Sequence, residues 1–173
     1  QNVLIPMQFR TEIEPLRVPF GIDADERILL AGSCFSDNVG QLLVRDGFKA
    51  LHNPLGPLYN PLSLANFIER ALDRHPYTAA DLTEGPRGWH CLDYASRYSG
   101  TDAEAVLEAV NTDFMPLVSL PFDVLIVTFG TAFVFELDGE RIVGNCHKFP
   151  AGRFVRRRLS VQEITSRWTG LLN

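Results

Sequence analysis

Residues 26–36 read Glu-Arg-Ile-Leu-Leu-Ala-Gly-Ser-Cys-Phe-Ser, and the change of pattern inside this stretch predicts how the chain folds. The apolar run up to Ala31 is short and bounded, as expected for a strand, and it ends at the turn residue Gly32. Ser36 is a favourable N-cap residue and predicts a helix over Asp37–Asp46. The stretch therefore predicts a strand, a tight turn and a helix in direct succession.

A second strand and a second helix follow. Gly47 ends the first helix, and Phe48–His52 reads as a short strand that leads into the turn-rich segment Asn53–Pro57. Leu62–Arg74 has the pattern of a helix. Proline and glycine then interrupt Pro76–Gly100, a segment of little periodicity, which predicts a long insertion with one short strand.

Two further helices are indicated by capping boxes. Thr101–Glu104 reads Thr-Asp-Ala-Glu, and the helix that it opens continues to about Val118. Ser160–Glu163 reads Ser-Val-Gln-Glu, and its helix runs almost to Asn173.

The remaining strands lie between these two helices. Asp123–Phe129 is continuously apolar and rich in β-branched residues, which is typical of a strand buried on both faces, so we expect it at the centre of the sheet. Asp138 and Gly139 form a two-residue hairpin signal between the strands Phe133–Leu137 and Glu140–Val143.

The alternation of strands and helices predicts the fold class α/β. Parallel strands require crossover connections, so we expect a mainly parallel sheet with helices on both faces. Ligands of such sheets bind beyond the carboxyl ends of the strands. Three turns are expected to meet at this edge: Gly32–Ser36, Asn53–Asn60 and Gly130–Phe133.

Composition excludes several classes of function. The 173 residues are 46% hydrophobic and 21% charged, with a formal net charge of −5, which disfavours nucleic acid and anionic membranes as partners. No apolar run approaches the roughly 20 residues that span a bilayer. Gln1–Pro6 lacks the basic segment and the cleavage site of a secretory signal.

The cysteines and the basic residues are the other compositional signals. The three cysteines, Cys34, Cys91 and Cys146, stand far apart, so we expect neither disulfides nor a structural metal. We also expect no cofactor. Free cysteines favour a reducing compartment, the cytoplasm. The basic cluster is either a docking site for an anion or a solvated stretch before the last helix; it comprises Arg153, Arg156, Arg157 and Arg158 with Lys148.

Ser33 and Cys34 are the candidate nucleophiles. A side chain on the turn between a strand and a helix is exposed at the edge of the sheet, where backbone N–H groups and the helix dipole stabilise negative charge. A thiol in this position is favoured as thiolate. The competing interpretation is that a cysteine after a strand only packs in the core.

Several short motifs carry a resemblance to a known family. The stretch Gly32–Ser36 resembles the signature of the GSCFA family, a bacterial family placed among the SGNH or GDSL-like hydrolases, with Ser36 where the signature has alanine. Other stretches are similar to that family's pattern: Phe9–Glu12, Asn53–Gly56, Leu58–Pro61, Gly130–Ala132, Asn145–Lys148, Arg157–Val161 and Glu163–Ile164. The resemblance covers one domain, residues 9–173, after an N-terminal extension over residues 1–8.

The resemblance implies a flavodoxin-like three-layer α/β/α sandwich with the nucleophile on its first strand-to-helix turn. Laid on the Gly-Asp-Ser-Leu signature of the superfamily, Cys34 takes the place of the nucleophilic serine, although a small change in turn geometry would present Ser33 instead. Gly56 resembles the glycine whose N–H faces the oxyanion.

The chain departs from the superfamily in two places. Ala132, in Gly130-Thr131-Ala132, occupies the position of an asparagine donor, so Thr131, Asn53 or Asn145 would have to replace it. The resemblance also implies a catalytic histidine near the C-terminus that this chain lacks, and we expect the domain to be incomplete there.

The alternative is that an internal histidine serves as the base. His147 is the best candidate because it follows the predicted hairpin and returns towards Gly130. His52 ends the second strand and would line the site.

The resulting expectation is a hydrolase or acyltransferase that acts on an ester or thioester of a small molecule or carbohydrate. The alternative is a binding module that keeps a ligand pocket for a carbohydrate or an acyl group without catalysis.

Overall fold

The structure is a computed structural model that describes residues 13, 14 and 18–173. The predicted extension over residues 1–8 and the Phe9–Glu12 motif lie outside the described residues. Within the described part, four helices and nine strands alternate in this order: β1 (Arg27–Gly32), α1 (Cys34–Arg45), β2 (Lys49–His52), α2 (Pro61–Leu72), β3 (Thr83–Gly85), β4 (Gly88–His90), β5 (Ser99–Gly100), α3 (Ala103–Ser119), β6 (Val124–Thr128), β7 (Phe133–Leu137), β8 (Arg141–Val143), β9 (Phe154–Arg158) and α4 (Val161–Leu172).

A three-stranded parallel sheet in the order β2-β1-β6 confirms the α/β class. Leu30 of β1 lies opposite His52 on one side and Ile126 on the other. Leu29 and Ala31 join the apolar core formed with α2 and α3, and α1 packs against all three strands. The carboxyl ends of the three strands therefore share one edge.

The prediction that β6 is the central strand was wrong. β1 occupies the centre because both of its edges are hydrogen-bonded, whereas β6 has a partner on one side only among the described residues. Leu125 in β6 is 41% exposed. The apolar composition of residues 124–128 therefore does not report burial on both faces.

Two small antiparallel sheets complete the described part. The insertion after α2 holds three short strands, β3, β4 and β5, where the sequence predicted one. β7 and β8 form the hairpin predicted around Asp138 and Gly139, and β9 pairs with the other edge of β7.

Most of the basic residues at 153–158 lie on β9, a strand that the sequence did not predict, and Arg153 lies just before it. Arg153 pairs with Asp138, and Arg157 lies between Glu136 (2.7 Å) and Glu163 (2.6 Å). Each of these two guanidinium groups already has a carboxylate partner, so two members of the cluster are engaged within the protein; anion docking by the cluster stays a prediction.

Two helices have N-cap residues other than those predicted. Ser33, rather than Ser36, is the N-cap of α1, and Asp102, rather than Thr101, is the N-cap of α3. The predicted capping box of Ser160 and Glu163 is present at α4. Every helix in the described residues is too short or too polar to span a lipid bilayer.

Candidate active site

The turn after β1 lies directly against the end of β6. Gly32 has φ +147°, and a Cβ at this position would collide with the carbonyl oxygen of Thr128. The N–H of Ser33 donates to the Thr128 carbonyl at 3.1 Å. A glycine is therefore required where β1 meets the helix.

The hydroxyl group of Ser33 is used inside the protein. It accepts a hydrogen bond from the N–H of Phe35 (3.3 Å) and lies 3.2 Å from the hydroxyl of Thr128. The same threonine hydroxyl is 2.7 Å from that of Ser36. Ser33 is only 8% exposed, so its side chain caps α1 and links it to β6.

Cys34 is the first residue of α1, and its thiol is free and exposed. Its backbone N–H belongs to the first turn, which has no carbonyl partner one turn earlier in the helix. The helix dipole also places partial positive charge at this end. The site thus combines an accessible sulfur atom with an environment that favours negative charge.

Asn53 holds the second turn against the first. Its side-chain oxygen accepts from the N–H of Gly32 (2.8 Å), and its side-chain nitrogen donates to the carbonyl of Ser33 (3.1 Å). Asn53 is itself in a left-handed conformation, with φ +35°. Both ends of its amide therefore fix the geometry of the turn at Gly32–Ser36, and its role as an oxyanion donor stays a prediction.

Gly56 lies in the same turn with its N–H directed inward. This N–H donates to the carbonyl of Asn53 at 2.8 Å. Gly56 has φ +97°, and a Cβ would approach that of Ala95 to 2.6 Å. Its predicted contact with an oxyanion would require the bond to Asn53 to open, so that role also stays a prediction.

The third turn reaches the other two, as the sequence predicted. The N–H groups of Gly130 and Thr131 both donate to the carbonyl of Tyr59, at 2.8 and 3.0 Å. A Cβ on Gly130 would lie 3.3 Å from that of Ser33. The hydroxyl of Thr131 accepts from the N–H of Phe133 at 3.1 Å.

His147 and Asn145 lie in the loop after β8. The side-chain oxygen of Asn145 accepts from the N–H of His147 (2.9 Å). His147 is 6% exposed, with Nε2 2.8 Å from the Tyr94 carbonyl and Nδ1 3.3 Å from Nδ1 of His90. Both ring nitrogens therefore face these partners rather than Cys34, and the role of His147 as a base stays a prediction.

The protonation of this histidine pair follows from its hydrogen bonds. A carbonyl oxygen only accepts, so Nε2 of His147 carries its proton, and Nδ1 accepts from His90. Nε2 of His90 is then an unprotonated atom, and it has no partner among the described residues. Burial lowers the pKa of both imidazoles below the ordinary value of 6.5.

A histidine and a carboxylate are paired beside α1, the helix that begins at Cys34. Nδ1 of His52, the last residue of β2, is 3.1 Å from Oδ1 of Asp37 in α1. Asp37 is three residues after Cys34, so the two side chains are neighbours on the helix surface. That spacing was the available signal for Asp37, which the sequence reasoning missed.

In the part of the chain that the structure describes, no group of three or more His, Cys, Asp or Glu side chains converges to hold an ion. Cys91 and Cys146 are not exposed as Cys34 is, and burial raises the pKa of both thiols, that of Cys91 to about 12.

Comparison with known proteins gives one result. No curated protein and no solved structure matches the chain. The model of the GSCFA family matches residues 27–173, which begins at β1 and includes all three turns of the site. The match covers most of the sequence, and the chain belongs to the GSCFA family.

Proposed function

We propose that the protein is an acyl-transfer enzyme, a hydrolase or acyltransferase, in which Cys34 is the nucleophile. The thiol loses its proton to a base, and its sulfur forms a bond to the carbonyl carbon of an ester or thioester. The leaving alcohol or thiol takes up that proton. Water or an acceptor hydroxyl then displaces the sulfur and releases the acyl group.

The observation that carries the proposal is the contrast between neighbouring residues of one turn. The Cys34 thiol is exposed at the start of α1, at the edge where the three turns meet. The Ser33 hydroxyl is buried and bonded to the cap and to Thr128. This contrast favours Cys34 over Ser33, the alternative nucleophile.

Stabilisation of the oxyanion is assigned to backbone groups. The N–H of Cys34 lies in the first turn of α1, where the helix dipole adds to its effect. The N–H of Gly56 becomes a second donor when its bond to the Asn53 carbonyl opens. Loss of one such donor typically reduces the rate by about 10²- to 10³-fold.

We assign the base to His52, with Asp37 orienting its ring. A hydrogen bond donated by Nδ1 of His52 to Asp37 leaves Nε2 free to take a proton, which is the arrangement found where a carboxylate orients a catalytic imidazole. The side chain of His52 is 26% exposed, so the ring is partly open to solvent. His147, by contrast, is enclosed by Tyr94 and His90.

The broader setting is part of the same proposal. A nucleophile turn that follows the central strand of a parallel sheet supports a flavodoxin-like three-layer sandwich of the SGNH type. A thiol nucleophile works best where it stays reduced, which supports the bacterial cytoplasm. The substrate class is an acyl ester or thioester of a small molecule or carbohydrate.

The test is acylation by p-nitrophenyl acetate at neutral pH followed by peptide mass mapping. We expect an acetyl adduct on Cys34, none in Cys34→Ala, and an unchanged adduct in Cys146→Ala, the matched control. His52→Gln should slow acylation by about 10²-fold or more, whereas His75→Gln, at an exposed position, should not. Equal labelling of Cys34→Ala would reject the proposal.

A binding module without catalysis is the second candidate. It is favoured by one observation, that the N–H of Gly56 and the amide of Asn53 are already engaged within the protein. Calorimetry with oligosaccharides and acyl-coenzyme A distinguishes the two functions. Tight binding by a folded chain that forms no adduct would favour the binding module.

A further inference from the structure

A cavity of about 680 Å³ lies beside α2, away from the nucleophile turn. Its walls come from α2, from the chain between His75 and Asp81, and from β8 with Gly144. The volume falls in the range of about 300–1,000 Å³ that is usual for small-molecule sites. Cys34 does not line this cavity, so a ligand here would occupy a second site.

The charged side chains in the walls are largely paired. Arg70 binds Asp81 through two nitrogens, at 2.9 and 2.7 Å, and its guanidinium lies 3.7 Å from the centre of the Tyr77 ring. Arg141 binds Asp93 at 2.7 Å. The charges within each pair offset one another, so the cavity is polar with little attraction for an ion.

Hydrogen-bonding capacity nevertheless remains in the walls. Arg141 uses one terminal nitrogen for Asp93 and for the carbonyl of Asp81, while its Nε and other terminal nitrogen have no partner among the described residues. One carboxylate oxygen of Asp93 is unused in the same part of the chain, as is the carboxylate of Asp73 at the rim. The walls of the cavity therefore offer both hydrogen-bond donors and hydrogen-bond acceptors to a ligand.

We propose that this cavity binds an uncharged sugar of one or two rings. Each sugar hydroxyl both donates and accepts, which matches the alternation of guanidinium and carboxylate groups. An acyl chain would leave those groups without partners. An anion is disfavoured because Arg70 and Arg141 already bind Asp81 and Asp93, and Glu69 is bound by Arg167 from outside the lining, so the added charge in the walls is the carboxylate of Asp73.

The test measures sugar binding by ligand-observed NMR with glucose, N-acetylglucosamine, maltose and N,N′-diacetylchitobiose. Ala80 lines the cavity, whereas its neighbour Ala79 is outside the lining, and both are exposed. Ala80→Trp should therefore weaken binding by about tenfold or more, and Ala79→Trp should leave it unchanged. Cys34→Ala should also bind normally, which separates this site from the proposed acyl transfer.

A second variant keeps the test decisive if the tryptophan disturbs the fold. Arg141→Lys retains the charge beside Asp93 but loses the guanidinium fork, and we expect it to weaken sugar binding by about tenfold. Failure of all four sugars to bind the wild type would overturn the proposal. Binding that Ala80→Trp and Arg141→Lys both leave unchanged would overturn it as well.

Discussion

Asn53 shows how one side chain fixes the geometry of the turn that precedes Cys34. Its amide satisfies the N–H of Gly32 and the carbonyl of Ser33, which are the backbone groups on either side of the Gly32–Ser33 peptide, just before Cys34. No other residue type of similar size offers both a donor and an acceptor in this planar arrangement. The position of Cys34 therefore depends on a residue from the next loop.

Asn53→Ala should destabilise the protein by about 2–4 kcal/mol, since two backbone groups lose their partners and each such loss costs roughly 1–3 kcal/mol. Asn38→Ala is the matched control because Asn38 is exposed on α1 and makes a single bond to the Cys34 carbonyl. Urea denaturation measures both. Equal stability of the two variants would contradict this account of Asn53.

Alanine substitution should affect stability at Ser33 and acylation at Cys34. Ser33→Ala removes the N-cap of α1 and should lower the free energy of unfolding by about 1 kcal/mol, with acylation of Cys34 retained. Cys34→Ala should change stability by less than about 0.5 kcal/mol and abolish acylation. Loss of the adduct in a folded Ser33→Ala variant would make Ser33 the nucleophile.

At the scale of elements, local signals were sufficient where the decisive contacts are local. The order β1-α1-β2-α2, the hairpin at Asp138 and the capping box at Ser160 all depend on residues within a few positions of each other. The start of α1 was misassigned because Ser33 and Ser36 are equally good caps by composition. Ser36 lies inside the helix, and its hydroxyl contacts that of Thr128, a residue distant in sequence that local signals do not report.

Sheet order could not be predicted from the same signals. Strand β6 is apolar enough for a central position, yet the pairing of β1 with both β2 and β6 is a long-range outcome. β9 was not predicted because its three consecutive arginines break the alternation of apolar and polar residues that indicates a strand. Its partner β7 also lies some twenty residues earlier. The convergence of three turns was predicted, but the engagement of their amides within loops was not.

The capping box of α4 gives a prediction at this scale. Ser160 accepts from the N–H of Glu163 (3.1 Å), and Glu163 accepts from the N–H of Ser160 (2.8 Å). This backbone bond, with Arg157, lowers the pKa of Glu163 to about 2.

Ser160→Ala should lower the free energy of unfolding by about 1 kcal/mol, because it removes one of these two bonds. Thr165→Ala, inside the same helix, is the control and should be near neutral, since its hydroxyl only bonds back to helix carbonyls. Thermal unfolding followed by circular dichroism compares the two variants. A larger loss in Thr165→Ala would show that the box does not hold α4.

At the scale of the whole molecule, the two small sheets are joined through buried histidines. His90 lies on β4 and His147 in the loop after β8, and their Nδ1 atoms are 3.3 Å apart. Phe149 packs edge-on against His90, with ring centres 4.8 Å apart. The charged groups that act on the pair are Arg87, which disfavours a proton on His90, and Asp93, which favours one on His147.

This arrangement predicts that stability falls with acid. Burial lowers the pKa of both histidines in the folded state, so below about pH 6.5 the unfolded chain takes up protons that the folded chain does not. Each histidine contributes a loss of up to about 1.4 kcal/mol per pH unit in that range. Urea midpoints between about pH 8 and pH 5.5 should therefore be constant at first and then decrease. His90→Phe should make the decrease in the urea midpoint less steep. His75→Gln should keep the wild-type slope, because His75 is exposed. Equal slopes in all three proteins would show that the buried pair does not cause the loss of stability in acid.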